Sequence, residues 1–249
     1  MLADDFDCSP QTIANILHEL GKTWKKSKWV PHELTDAQKL KRVEASTRLL
    51  ELVEEDPDIL EDIVTMDEKW VGFSNPYKHN EWLSKGQKSS GTPVKDFRKE
   101  KRMLVVFWKR TGIVHYEFLP KGRTMKATLY CKILERVRRR LPNGNRIVLQ
   151  HDNAKPHTAN LTKKWLQDAG WDVLEHPPYS PDLAPSDYHL FRSMEHWLRG
   201  KTFDNEVELE NSVINYFNSK EKDFYARGID LLPEKWQEVV DVDGEYFDY

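Results

Sequence analysis

The sequence predicts an α/β fold in which helices flank a mixed sheet. Three observations carry this. Residues 61–74 alternate apolar and polar positions as a strand does, residues 103–120 read as a hairpin, and beyond residue 126 helical and strand patterns take turns.

The elements follow in order. SPQTIANILHELG (9–21) reads as a capped helix, with Ser9 at the N-cap, Pro10 at the first helical position, an apolar stripe of Ile13, Ile16, Leu17 and Leu20, and Gly21 as its stop. A basic, Trp-bearing linker covers 22–34. A second helix is expected over 35–56, with Leu40, Val43, Leu49, Leu50 and Val53 as its apolar face and Pro57 ending it. EDIVTMDEKWVGFS (61–74) is strand-like, and 75–102 is a polar, Gly/Ser/Pro-bearing insertion without a period. MLVVFWKRTGIVHYEFLP (103–120) turns at 109–112, and Phe107, Trp108, Tyr116 and Phe118 read as core. A helix is expected over 126–140, a buried strand at 146–151, an amphipathic helix at 156–170, a strand at 171–176, and a helix at 186–199 after a Pro-rich turn. The acidic end reads helical at 205–220 and 233–240.

Composition narrows the classes. The chain has 249 residues, 39% of them hydrophobic and nine of them Trp, enough for one large domain with an appendage. Two distant cysteines, Cys8 and Cys131, form neither a disulfide framework nor a zinc motif, which points to a reduced, intracellular setting. The first residues carry no secretory h-region and no run is long enough to span a bilayer. The net charge of −3 hides an asymmetry: 204–249 nets −9 and the remainder +6. Basic runs at 21–42, 95–102 and 136–140 interleave with Trp at the first of them. That pattern suits phosphate contact and base stacking, although a single such run is more often solvated surface. Lys25, Lys26, Lys28, Trp29 and His32 are the candidate DNA contacts.

Three aspartates are placed oddly. Asp152 ends the apolar run IVLQH. Aspartate is a poor strand residue and expensive to bury unpaired, so this carboxylate reads as positioned, or else as a helix cap. Asp67 lies within a strand pattern on the side of Ile63 and Thr65, with no turn beside it. Asp187 opens a helix in line with Phe191, Met194 and Leu198, toward its inward face; a first-turn Asp favoured by the helix dipole is the plainer alternative. Three converging carboxylates resist ionising together, and divalent cations remove the conflict. Mg²⁺ or Mn²⁺ takes oxygen ligands, and a pair of ions supports phosphodiester chemistry. The three are expected to meet within metal-bridging reach. Glu68 and Asn153 could orient ligands or waters. His151 and His157 match a Mg²⁺ site poorly. No GxSxG, Walker loop or GxGxxG occurs.

TMDEKWV, LQHDNAKPHTA and HPPYSPDLAPSDYHLF closely resemble the catalytic signature of mariner-family transposases, KWVPHELT (28–35) resembles the linker before it, and GIDLLPEKWQEVVDVDGEYF the family's tail. Thirty-four residues separate Asp152 from Asp187, the mariner spacing with aspartate as third acid. The resemblance implies an RNase H-like core over 35–249 that cleaves DNA at transposon inverted repeats and joins the ends to TA target sites, using two Mg²⁺ or Mn²⁺ ions on Asp67, Asp152 and Asp187. It further implies a homodimer held through the clamp-type insertion 75–102 and the 28–35 linker, and a nuclear location. Against the family pattern, 1–21 matches only a remnant of the second helix–turn–helix unit, so weak end recognition is expected. A domesticated or decayed relative that binds DNA and dimerises without turnover is the main alternative, and a structure-selective RNase H-like nuclease a third.

Overall fold

The computed structural model describes residues 9, 11–12, 15–16, 32–76, 100–142 and 144–247. The chain divides into two units, Met1–Glu33 and Leu34–Tyr249. In the first, the Ser9 hydroxyl accepts from the Thr12 amide at 3.0 Å, an N-cap bond. Most of the expected helix 9–21, the linker residues Lys25, Lys26, Lys28 and Trp29, and nearly all of the insertion 75–102 lie outside the described residues.

The second unit begins with α1 (Asp36–Glu55). Thr35 and Gln38 close a capping box, each side chain serving the other's backbone amide. Its buried face is the predicted one in part: Leu49 is buried and Leu50 and Val53 pack against the same core. Leu40 is exposed, while Arg42, Ala45, Ser46 and Leu49 turn inward. The short α2 (Ile59–Asp62) runs directly into β1 (Ile63–Gly72). β2 (Lys101–Lys109) and β3 (Gly112–Phe118) form the expected hairpin, with Gly112 at φ +128°, a conformation open only to glycine. Then come α3 (Ala127–Arg138), β4 (Val148–Gln150), the single-turn α4 (Lys155–Thr158), α5 (Asn160–Ala169) and β5 (Asp172–Val173). The predicted helix 156–170 is thus broken at Ala159, whose extended ψ of 144° ends α4. After the Pro-rich turn, Ser186–Phe191 winds as a wide π-helix into α6 (Arg192–Leu198), and α7 (Glu206–Asn218), α8 (Lys222–Asp230) and α9 (Leu232–Asp241) follow. No helix among the described residues is long and apolar enough to cross a membrane.

The sheet has the order β3-β2-β1-β4-β5. β1, β2 and β3 are antiparallel, and β4 and β5 run parallel to β1. It is the mixed sheet of an RNase H-like fold. Strand alternation feeds two cores. Ile63, Val71, Val106, Trp108 and Val148 face one side and pack with α6 to α9 and Leu49 of α1. Val64, Met66, Val105, Phe107 and Leu149 face the other, against Tyr130, Ile133, Leu134 and Val137 of α3 and Leu166 of α5.

Candidate active site

Parallel pairing explains why two of the aspartates meet. Thr65 of β1 stands opposite Gln150 of β4. Asp67 and Asp152 each lie two residues further along, so the register carries both toward the same strand ends, where ligands of α/β sheets usually bind. Asp67 still lies within β1, opposite Val106 of β2; Asp152 has just left β4. Asp187 arrives on the π-helix, a widened turn of the kind often found at functional sites. Its neighbours are fixed in the core. The Trp108 indole donates to the Ser186 hydroxyl at 3.0 Å, and the Tyr188 hydroxyl donates to the Gly228 carbonyl at 2.7 Å. Asp187 lies between them and, with Asp67 and Asp152, lines a cleft of about 410 Å³ walled on one side by the Pro-rich turn.

The carboxylates feel one another. Burial raises the Asp67 carboxyl well above its usual value, and the charges of Asp187, Glu68 and Asp152 push the same way. Burial likewise lifts Asp187 to about 6, against the pull of nearby Lys69. Asp152 goes the other way: burial raises it, but hydrogen bonds from His157 and the Ala154 amide bring it below the ordinary range. The three aspartates expected to converge line one cleft. Among the described residues no group of three His, Cys, Asp or Glu side chains is arranged to hold a metal. The donor set nevertheless suits Mg²⁺ or Mn²⁺, being all carboxylate oxygen. In the same cleft the buried Gln150 Oε1 has no hydrogen-bond partner while its Nε2 donates to the Leu183 carbonyl at 3.1 Å. Such an acceptor asks for a donor, as water in an ion's shell would be.

The remaining predicted residues divide. Glu68 points to the opposite face of β1 from Asp67 and reaches the site through His157, at 3.2 Å from its Nε2. Asn153 donates to the His176 carbonyl at 2.7 Å, tying the Asp152 loop to the Pro-rich turn. His32 is half-buried in the first unit. His157, weighed in sequence only as a metal ligand, proves to be the most connected side chain of the site. Its Nδ1 lies 2.6 Å from Asp152 Oδ1, and its ring stacks on His151, 5.1 Å away at 9°. Burial lowers it, but the bonds to Asp152 and Glu68 outweigh that and bring it up to about 9. Burial and the charge of His157 depress His151 to about 3. Arg42 of α1 and Asp182 of the Pro-rich turn, unremarked in the sequence, form a fully buried ion pair. No local signal marks the pair, since Asp182 sits in the Pro-rich turn 140 residues from Arg42.

Known proteins resemble this chain closely. Residues 73–149 match the family described as Transposase (partial DDE domain). Mariner Mos1 transposase of Drosophila mauritiana is 37% identical over 255 residues, covering 99% of this chain and 74% of that protein. The human histone-lysine N-methyltransferase SETMAR is 38% identical over 254 residues, but the chain spans only 37% of its length. Among solved structures, the Mos1 strand transfer complex superposes with a TM-score of 0.91 at 40% identity, covering 99% of this chain and 73% of that one. The Mos1 paired-end complex with Mn gives 0.91 at 39%, covering 100% and 75%, and a counterpart with Mg gives 0.91 at 39%, covering 99% and 74%. With a relative 37% identical of which it covers 74%, and with its three aspartates at one cleft, the chain belongs to the mariner family of DNA transposases.

Proposed function

We propose that this chain is the catalytic core of a metal-dependent DNA transposase that cleaves phosphodiester bonds at transposon inverted repeats and transfers the freed strand into TA target sites. The observation that carries the reading is the delivery of Asp67, Asp152 and Asp187 to one cleft by three separate elements. Two divalent ions, Mg²⁺ or Mn²⁺, held by these carboxylates would supply activation of the attacking water or 3′-hydroxyl and stabilisation of the leaving oxygen in an in-line displacement. The chain's own residues set the stage. Asp67 and Asp187 are carboxylates held where ionisation is costly, which favours capture of a cation. Asp152 is held ionised by its donors. Gln150 offers an acceptor deep in the cleft, and Lys69, ion-paired with Glu195 at 2.6 Å, is close enough to favour the ionised form of Asp187.

Double-stranded DNA is the proposed partner, contacted by Lys25, Lys26, Lys28, Trp29 and His32, with a second copy of the chain joined through 75–102 and 28–35, and the nucleus as the site of action. The Mos1 structures with Mn, with Mg and in strand transfer support metal and DNA as ligands of this relative too. The test is direct. Pre-cleaved transposon-end DNA and a TA-containing plasmid, incubated with the protein and Mn²⁺, should yield joined product. Alanine at Asp67, Asp152 or Asp187 should remove it while leaving salt-dependent DNA binding in place. Binding with no product from the unaltered chain would instead identify a DNA-binding relative without turnover.

A further inference from the structure

We propose that His157 is the positioning residue of the carboxylate centre, a strut between Glu68 and Asp152 that turns one Asp152 oxygen inward and leaves the other for a metal ion. The inference rests on the reading of Asp152 as a metal ligand.

The argument begins with the two oxygens of Asp152. Oδ1 accepts twice, from the Ala154 amide at 3.0 Å and from His157 Nδ1 at 2.6 Å. Both protein donors therefore fall on one oxygen, and among the described residues no hydrogen bond engages Oδ2. A carboxylate gripped in this way cannot rotate about its terminal bond without breaking both contacts. It presents a single free oxygen in a set direction. The half-exposed side chain, 53% open to solvent against 1% for His157, is thus anchored from behind by a fully buried ring.

His157 is itself held on every side. Nε2 faces Glu68 Oε1 at 3.2 Å, so the ring spans from β1 to the loop after β4. His151 stacks on one face, and Tyr130 lies 4.4 Å away between ring centroids. The Tyr130 hydroxyl is paired with His151 Nδ1 at 2.8 Å, which fixes the second ring in turn. Packing and hydrogen bonds together hold the strut to one rotamer, as required of a group that must place a ligand to within a fraction of an ångström. Bonds of this kind behind a ligating side chain typically matter about 10–100-fold in metal affinity. Glu68, on the far face of β1 from Asp67, gains a purpose: it is the strut's other abutment.

Two amide substitutions, each able to keep one of the two ring-nitrogen contacts, separate this role from simple packing. In His157→Asn the amide nitrogen stands near the former Nδ1 and can still reach Asp152, but the link to Glu68 is lost. In His157→Gln the longer side chain places its amide near the former Nε2, within reach of Glu68, and the Asp152 bond is lost. Mn²⁺ binding to the full chain is measured by electron paramagnetic resonance, without DNA or turnover, and each variant's thermal transition is recorded beside it. His157→Gln and His157→Ala should weaken Mn²⁺ binding by about tenfold or more, and His157→Asn by no more than about threefold. Equal losses in the Asn and Gln variants, or unchanged binding in the Ala variant, would overturn the strut. If the Ala variant does not fold, the Asn–Gln comparison decides alone. Asp152→Asn is the control for the reading beneath it: wild-type protein that binds no Mn²⁺, or whose binding Asp152→Asn leaves intact, would overturn the metal centre and the strut together.

Discussion

Asp187 sits between a serine and a tyrosine that are both buried and hydrogen-bonded, so the backbone that carries it cannot leave the cleft without disturbing the core. The cost shows in its ionisation, with burial lifting the carboxyl to about 6 from an ordinary 3.8. A carboxyl raised in the folded state is penalised wherever it is ionised. The penalty is fully present above about 6 and absent below the ordinary, unfolded value. Metal-free Asp187→Asn should therefore be more stable than the parent at about pH 8, by roughly 1–3 kcal/mol. The advantage should shrink as pH falls through 6 and disappear near 4. Adding Mg²⁺ or Mn²⁺ should raise the parent's melting temperature and not the variant's, because a ligand stabilises only the state that binds it. Calorimetry in chelator across this pH range checks both statements; a parent at least as stable as the variant at about pH 8 would contradict the penalty.

Between elements, the contact that matters most for Asp187 is not in its own helix. Arg42 of α1 donates to both oxygens of Asp182, at 2.8 and 2.5 Å, and to the Ser180 hydroxyl and the Gly244 carbonyl. It ties the turn that leads to Asp187 to α1 and to the segment after α9. Arg42→Ala leaves Asp182 buried and uncompensated, a loss of about 3–5 kcal/mol, whereas Arg42→Met with Asp182→Leu should recover most of it. Urea denaturation of the two variants measures the difference, and equal stabilities would refute the account. The same residue shows what the sequence does not disclose. Local pattern was enough for the hairpin at 109–112 and for α3, because alternation and apolar spacing are properties of neighbours. On α1 it found Leu49, Leu50 and Val53 but placed Leu40 inside and passed over Arg42, because a buried Arg is favourable only with a partner 140 residues away. It missed α8 altogether, where Gly228 weakens helical propensity. There tertiary packing wins: a Cβ on Gly228 would come 2.6 Å from the His189 ring and 2.8 Å from that of Trp108. Of the site, the three aspartates were legible as polar intruders in apolar patterns. His157 was not, since its meaning lies in which two carboxylates it bridges.

For the unit Leu34–Tyr249 as a whole, the acidic end of the chain contributes far more core than its charge suggests. Residues 204–249 net −9, yet Tyr225, Ile229, Leu232, Trp236, Val239 and Phe247 all belong to the core that covers one face of the sheet. α9 packs along α1, and Gly244, at φ +82°, brings its backbone so close to Lys39 that any Cβ would collide with it. The carbonyls of Gly244 and Glu245 complete the set of acceptors around Arg42. The acids lie mostly on the outer faces, where water solvates them, and the apolar stripes beneath close the core against β1, β2 and the helix that carries Asp187. Removing 220–249 would expose those six side chains' partners. At roughly 1.5–3 kcal/mol for each large apolar side chain buried, the six together contribute about 9–18 kcal/mol, as much as the whole 5–15 kcal/mol by which domains of this size are usually stable. The shortened chain should therefore show no cooperative thermal transition by circular dichroism and no Mn²⁺ binding, even though all three aspartates remain. A truncated chain that melts cooperatively would mean that the sheet and the Asp187 helix form a stable unit without α8 and α9.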